Sequence, residues 1–157
     1  MNNILIREAN KKDLDEILSL NLDLFKKEFK EFDKSLNVKW PKSKEGKNYF
    51  AKRIASKDSF VAVATYDEEV IGYICCSFNR SPIQFIRKAE LENMMISEEF
   101  RGKKIGSKLA KEFFNWCKTN NIKNIIVTAS AKNLSGIRFY KKLGFNDYDL
   151  TLEKKLK

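Results

Sequence analysis

The chain contains no histidine. That absence removes every mechanism that needs an imidazole: a Ser-His-Asp triad, a Cys-His pair, or a histidine-ligated metal. The three cysteines, Cys75, Cys76 and Cys117, are odd in number and two of them are adjacent. They match no disulfide framework and no zinc spacing, so no metal is expected. In a strand, Cys75 and Cys76 point to opposite faces, and all three read as small, partly buried, reduced thiols. Proline is scarce: Pro41 and Pro82 are the only two, and each marks a break in the apolar pattern. No run approaches the ~18 apolar residues of a membrane span. Met1 leads directly into "NILIREA", with no basic n-region, apolar h-region or small-residue cleavage site. A cytoplasmic chain with no membrane partner is expected.

What is present is enough for one core. The 157 residues, 43% of them apolar, suit a single domain over 1–157. Cations outnumber anions 31 to 21, a net charge of +10. Such a balance suits an anionic partner, either a phosphorylated small molecule or nucleic acid. Lysine, asparagine and isoleucine are abundant along the whole chain, so the charge supports a reading without deciding one.

The apolar periods give an element order. "ILIREA" (4–9) reads as a strand. Asp13 is placed to cap a helix that carries Leu14, Ile17, Leu18, Leu22 and Phe25 at helical spacing and continues through Phe29 and Phe32. Residues 33–46 read as a long loop around Pro41, and "YFAKRIAS" (49–56) as a short helix. "SFVAVATY" and "VIGYICCSF" flank "DEE" as a hairpin. Ser81-Pro82 is a turn, and "FIRKAELENMMIS" (85–97) a longer strand. A helix over 103–119 puts Ile105, Leu109, Phe113 and Trp116 on one face and ends at Asn120-Asn121. "NIIVTAS" (124–130) is a strand covered on both faces. Asn133 caps a helix that runs through Leu143, with Gly144 at its C-terminal cap. "FNDYDLTLEKKL" is expected to supply a last strand or pair of strands. The resulting fold class is α/β. A right-handed crossover over 86–130 would lay two of its strands parallel.

Two motifs carry the chemistry. "RGKKIG", Arg101 to Gly106, opens the helix at the carboxyl end of a strand, which is where α/β sheets bind ligands. A helix N-terminus offers unpaired N–H groups and the positive end of a dipole. Gly102 and Gly106 would admit a phosphate, and Arg101, Lys103, Lys104 and Lys108 would add charge. By itself the segment fits a plain helix start equally well, and it is neither a P-loop nor G-x-G-x-x-G. The second motif is "NLSGIRFYKKLGF" (133–145), with Gly136, Tyr140 and Leu143 on one helical face.

Together "RGKKIG" and the later N-x-x-G-x-x-F-Y-x-x-x-G-F resemble the GCN5-related N-acetyltransferase superfamily. The resemblance extends to "IREANKKDLDEILSL" and "LENMMIS"; only residues 28–50 carry no usable family pattern. It implies a mixed central sheet with splayed parallel strands flanked by helices, acetyl-CoA as cosubstrate, and transfer of the acetyl group to a primary amine of a small molecule or peptide by direct attack. The family signature maps onto Arg101, Gly102, Lys103, Lys104, Ile105 and Gly106, with Lys104 standing where a glycine is usual. Ser107 and Asn133 extend the cofactor-binding set. The main chain of Met94, Met95 and Ile96 is expected to pair with pantetheine and to stabilise the oxyanion.

The chemistry needs an acid for the leaving thiolate and a route for the proton of an ammonium group. The resemblance gives the first role to Tyr140. Glu92, two residues before Met94 and read as sharing its strand face, is the candidate on the amine side, acting through water or by holding a cationic substrate. Glu90 is the second candidate; another family position for a base, on the following strand, is Thr128 here and cannot serve. For the acceptor, Phe32, Leu36, Trp40 and Tyr49 suggest an apolar wall, with Glu28, Glu31, Asp33 and Glu45 as anionic points. Two alternatives stay open: acetylation of aminoacyl-tRNA, and a basic nucleic-acid-binding module without catalysis. A homodimer is expected, as is common in the family.

Overall fold

The computed structural model describes residues 4–157. Five strands form one sheet in the order β1-β2-β3-β4-β5. They are β1 Leu5–Glu8, β2 Ser59–Tyr66, β3 Glu69–Asn79, β4 Lys88–Ile96 and β5 Asn124–Val127. The first four pair antiparallel as a meander, while β4 and β5 run parallel. The helices are α1 Leu14–Glu31, α2 Lys44–Ala55, α3 Ile105–Thr119 and α4 Leu134–Lys142.

The two faces of the sheet carry separate cores. On one, Ile17, Leu18 and Leu20 of α1 and Phe50 of α2 pack on Val61, Val63, Tyr73, Cys75 and Met95. On the other, Ile105, Leu109, Phe113 and Cys117 of α3 pack on Phe60, Ala62, Ile74, Cys76, Ala89 and Leu91, with Tyr140 of α4 beside them. Adjacent Cys75 and Cys76 fall into opposite cores, as alternation along a strand requires. All three thiols are free and buried, and burial pushes that of Cys75 up to about 12.

Three local expectations change. The side chain of Asp13 makes no cap to α1. Asn10 and Asp13 instead form a reciprocal capping box on the preceding short turn, and Asp13 takes two hydrogen bonds from Arg7 at 2.8 Å. Helix α2 begins at Lys44, because the Ser43 hydroxyl accepts from Gly46 N at 3.1 Å; the loop before it holds the 3₁₀ turn Trp40–Lys42. The last strand does not form: residues 145–157 have no regular structure. A strand exists only where a neighbour supplies a ladder. Here Asp147 is held by Lys141 at 3.0 Å and the Tyr148 hydroxyl accepts from Lys88 Nζ at 2.7 Å, which fix the start of the segment beside α4 and the start of β4.

β4 itself is irregular in two ways. Cys75 pairs with Asn93 but Cys76 pairs with Leu91, so Glu92 is an extra residue, a β-bulge. And pairing with β5 stops at Leu91–Val127, while β4 runs on to Ile96. The two parallel strands therefore part after Leu91.

Candidate functional site

Beyond Leu91, β4 has only β3 for a neighbour. Ser97 N–H donates to Ile71 O at 2.8 Å. By two-residue alternation the Met95 N–H also points to β3, and the N–H groups of Met94 and Ile96 point into the gap beside β5. Arg101 confirms the direction, because its Nε donates to the Ile96 carbonyl at 3.1 Å. The gap is thus edged by the N–H groups of Met94 and Ile96, the Ile96 carbonyl being taken by Arg101, and Met95 is committed to the sheet.

The segment from Arg101 closes one end of this gap. Gly102 has φ 77° and Lys104 has φ 61°, both left-handed. The strain that a side chain meets there explains why a glycine is usual where Lys104 stands. Lys104 is also the residue before α3, and it supplies no side-chain cap. Helix geometry then leaves the N–H groups of Ile105, Gly106 and Ser107 without intrahelical acceptors. The Ile105 side chain is buried in the core and anchors the turn. Lys103 and Lys104 are exposed, with the Lys103 ammonium over the Phe100 ring. The result is a ring of free donors with exposed cations outside it, suited to a phosphate.

Two glycines have packing reasons. A Cβ on Gly106 would lie 3.2 Å from Phe139 Cζ and 3.7 Å from Met94 Cε, so this glycine lets α4 and β4 close on the start of α3. A Cβ on Gly136 would lie 2.5 Å from Asn133 Nδ2. Asn133 Oδ1 accepts from Gly136 N at 3.0 Å and caps α4. The N-x-x-G motif is therefore a helix cap and the space it needs.

That cap and the Phe139 contact set the position of Tyr140. Its ring packs edge-on against Phe139 and Phe145, with centroids at 5.3 and 5.8 Å. Its hydroxyl has no hydrogen bond among the described residues. Burial first, then the nearby Cys76 and Glu28, push its pKa up to about 12. The phenol is therefore a neutral O–H donor at physiological pH. Cys76 belongs to β3, and Glu28 to α1 on the opposite face of the sheet.

Glu92 is placed otherwise than expected. The bulge puts it on the α2 face, whereas Met94 packs on the α3 face, so the two do not share a side. Its carboxylate is fully occupied by its own chain. Arg53 Nη2 and Nε donate to it at 2.8 and 3.0 Å, and the hydroxyls of Tyr49 and Ser77 donate as well. The side chain is 14% exposed. Burial alone would raise its pKa, but the bonds from Arg53, Ser77 and Tyr49 outweigh it and hold the group below the usual glutamate value. Glu90 accepts from Asn79 Nδ2 at 2.9 Å. Tyr49 was read only as part of an apolar wall, and its hydroxyl on Glu92 was not foreseen; Arg53 and Ser77 had no signal at the sequence level, since α2 lies where no motif runs and a bulge is invisible to a period-2 count.

Of the four residues expected to form an apolar wall, Trp40 and Tyr49 belong to an aromatic train, whereas Phe32 and Leu36 are not part of it. Phe25 stacks on Trp40 at 5.6 Å, Trp40 meets Tyr49 at 5.5 Å, and Tyr49 and Phe50 continue to Tyr73. Tyr73 is fully buried and accepts from Asn21 Nδ2 at 2.8 Å. Glu28 is half-buried, with no side-chain hydrogen bond or ion pair among the described residues. Burial raises its pKa, Lys27 opposes the rise and Asp33 adds to it.

The comparisons agree with this geometry. The chain is 27% identical over 146 residues to an uncharacterized N-acetyltransferase of Methanocaldococcus jannaschii; the match takes in 92% of this chain and 62% of the relative, so the chain spans less than two thirds of that protein. It is 28% identical over 137 residues to another from Archaeoglobus fulgidus, covering 86% and 88% of the two chains. The structure of a predicted acetyltransferase with acetyl-CoA from Clostridium acetobutylicum superposes with a TM-score of 0.80 at 25% identity, over 98% of this chain and 96% of that one. The model of the acetyltransferase (GNAT) family matches residues 21–145. A sheet that parts between parallel strands, an uncapped helix start at the mouth of the gap and a family model matched across most of the chain lead to one assignment: the chain belongs to the acetyltransferase (GNAT) family.

Proposed function

We propose that the protein is an acetyl-CoA-dependent N-acetyltransferase acting on a primary amine. The observation that carries this reading is the parting of β4 and β5 after Leu91, with free N–H groups on one side and uncapped N–H groups at one end; Tyr140, packed beside the α3-side core, is read as turning its phenol toward this gap. In this reading the N–H groups of Ile105, Gly106 and Ser107 hold the pyrophosphate, and exposed Lys103 and Lys104 screen its charge. The Met94 and Ile96 main chain pairs with the pantetheine arm, and one of its N–H groups faces the developing oxyanion. Acetyl-CoA supplies an activated thioester. Tyr140 is neutral at working pH and gives its proton to the departing sulfur. Glu92, bound by Arg53, Tyr49 and Ser77, fixes α2 against β4 and so holds the aromatic wall on which the acceptor rests.

The test has two parts. Calorimetry should show acetyl-CoA binding at micromolar concentration in 150 mM salt, where purely electrostatic RNA binding weakens steeply. A panel of polyamines, amino acids, peptides, aminoglycosides and aminoacyl-tRNA should then contain at least one acetylated amine. RNA binding without acetyl-CoA binding would sink the reading.

A further inference from the structure

Two carboxylates approach the acceptor side of the gap, and they stand in opposite states. Glu92 has a guanidinium and two hydroxyls on it, all from its own chain. An incoming ammonium group would have to displace Arg53 to reach it. Glu28 lies on the sheet-facing stripe of α1, seven residues after buried Asn21 and so on the same helical face. It is half-buried, has no side-chain hydrogen bond or ion pair among the described residues, and its charge acts on Tyr73 in the sheet and on Tyr140 of α4. The C-terminal end of α1 is tied to the loop before α4, where Lys132 Nζ donates to Phe32 O at 3.4 Å. This brings the Glu28 end of α1 to the helix that carries Tyr140.

We propose that Glu28, and not Glu92, receives the ammonium group of the acceptor and takes its proton; this rests on the acetyltransferase reading above. An unpaired, half-buried carboxylate is costly to folding, and a cationic substrate supplies the missing partner. The proton balance is complete. An ammonium N–H proton passes to a Glu28 oxygen, and the freed amine forms the C–N bond to the thioester carbonyl. The C–S bond breaks and Tyr140 O–H protonates the sulfur. The surplus proton on the new amide nitrogen restores the phenol, and Glu28 releases its proton to solvent. The charged and titratable groups around Glu28 are Lys27 and Asp33 at its own end of α1, Lys132 from the loop before α4, Tyr73 from β3 and Tyr140 from α4. Burial acts first on Glu28 and raises its affinity for a proton, as a base requires; Glu92 is shifted the other way.

The test compares Glu28→Gln, Glu28→Asp and Glu92→Gln, using acetyl-CoA and the best acceptor of the panel. Glu28→Gln should lower kcat/KM by about 100-fold or more, abolish the acid limb of the kcat–pH profile and leave acetyl-CoA affinity unchanged. Glu28→Asp should keep the limb. Glu28→Gln should also raise Tm at pH 7, because it removes a buried unpaired charge, and the gain should vanish below the ordinary glutamate pKa. In Glu92→Gln the acid limb should persist while Tm falls. The proposal is overturned if Glu28→Gln keeps kcat/KM within about threefold of the parent, or if the acid limb disappears in Glu92→Gln and survives in Glu28→Gln. Loss of activity in Tyr140→Phe with none in Glu28→Gln would leave the acetyltransferase reading standing and remove only Glu28. A parent protein that acetylates no amine of the panel removes both.

Discussion

The two halves of β4 have the same neighbour on one side and opposite fates on the other. From Lys88 to Leu91 the strand lies between β3 and β5, and Ala89 and Leu91 are buried. From Asn93 to Ile96 it pairs with β3 alone, and its outer N–H groups have no strand partner. Glu92, the bulged residue, stands at the junction. The lower half is where the molecule spends its apolar residues on stability. The upper half leaves hydrogen-bonding groups unmade, which costs stability unless a ligand completes them. The site lies where the sheet stops pairing, and the bulge turns the strand's chemistry from one face to the other at that point.

Breaking the upper half should cost most in rate. Tyr140→Phe removes one oxygen and keeps the ring against Phe139 and Phe145. We expect kcat to fall by roughly 10²–10⁴-fold, with acetyl-CoA affinity changed by less than about 1 kcal/mol. Steady-state kinetics and calorimetry on the same preparation check this, and an unchanged kcat would make Tyr140 a packing residue.

Breaking the lower half should do the reverse. Leu91 is 1% exposed. Leu91→Ala should cost about 2–5 kcal/mol of folding stability, measured by urea unfolding. The molecules that remain folded should bind acetyl-CoA as the parent does. A large loss of affinity per folded molecule would mean that the two halves are not separable.

The junction gives a smaller effect with a pH signature. Glu92→Gln leaves Arg53 without its anion and should cost about 1–3 kcal/mol. The folded pKa of Glu92 is depressed, so the unfolded chain binds its proton more tightly. Its contribution is thus present above the ordinary carboxylate value of 4.5 and is lost as pH falls below it. Asp13, held low chiefly by the Arg7 hydrogen bonds, behaves alike. The parent should therefore lose stability on acidification through this range, and Glu92→Gln should lose less. Parallel curves for the two proteins would show that Glu92 is not held by the pair.

Much of this was legible in the sequence, and the limits have physical causes. Period-2 and helical patterns located β1 to β5 and all four helices, because one-sided burial writes itself into spacing. RGKKIG and N-x-x-G-x-x-F-Y pointed to a cofactor loop and to Tyr140 only through the family resemblance, since either segment alone fits an ordinary helix start. The Arg53–Glu92–Tyr49–Ser77 cluster was not legible. It joins α2, β3 and β4 across the chain, and it depends on a one-residue bulge that reverses the face of everything after it. Glu28 was only one of four anionic points until the fold showed that it has no side-chain hydrogen bond or ion pair among the described residues. The tail failed in the other direction: Tyr148, Leu150 and Leu152 alternate as a strand would, yet they are 64%, 79% and 83% exposed, because pattern alone supplies no neighbour.

The most direct test of the divided strand is amide hydrogen exchange, residue by residue, with and without acetyl-CoA. The account predicts that acetyl-CoA slows exchange at Met94, Ile96 and the first turn of α3 at Ile105, Gly106 and Ser107. Met95, already bonded to β3, and Leu91, below the point where β4 and β5 part, should change little. Protection spread evenly along β4, or strongest at Leu91 and absent at Met94 and Ile96, would contradict it.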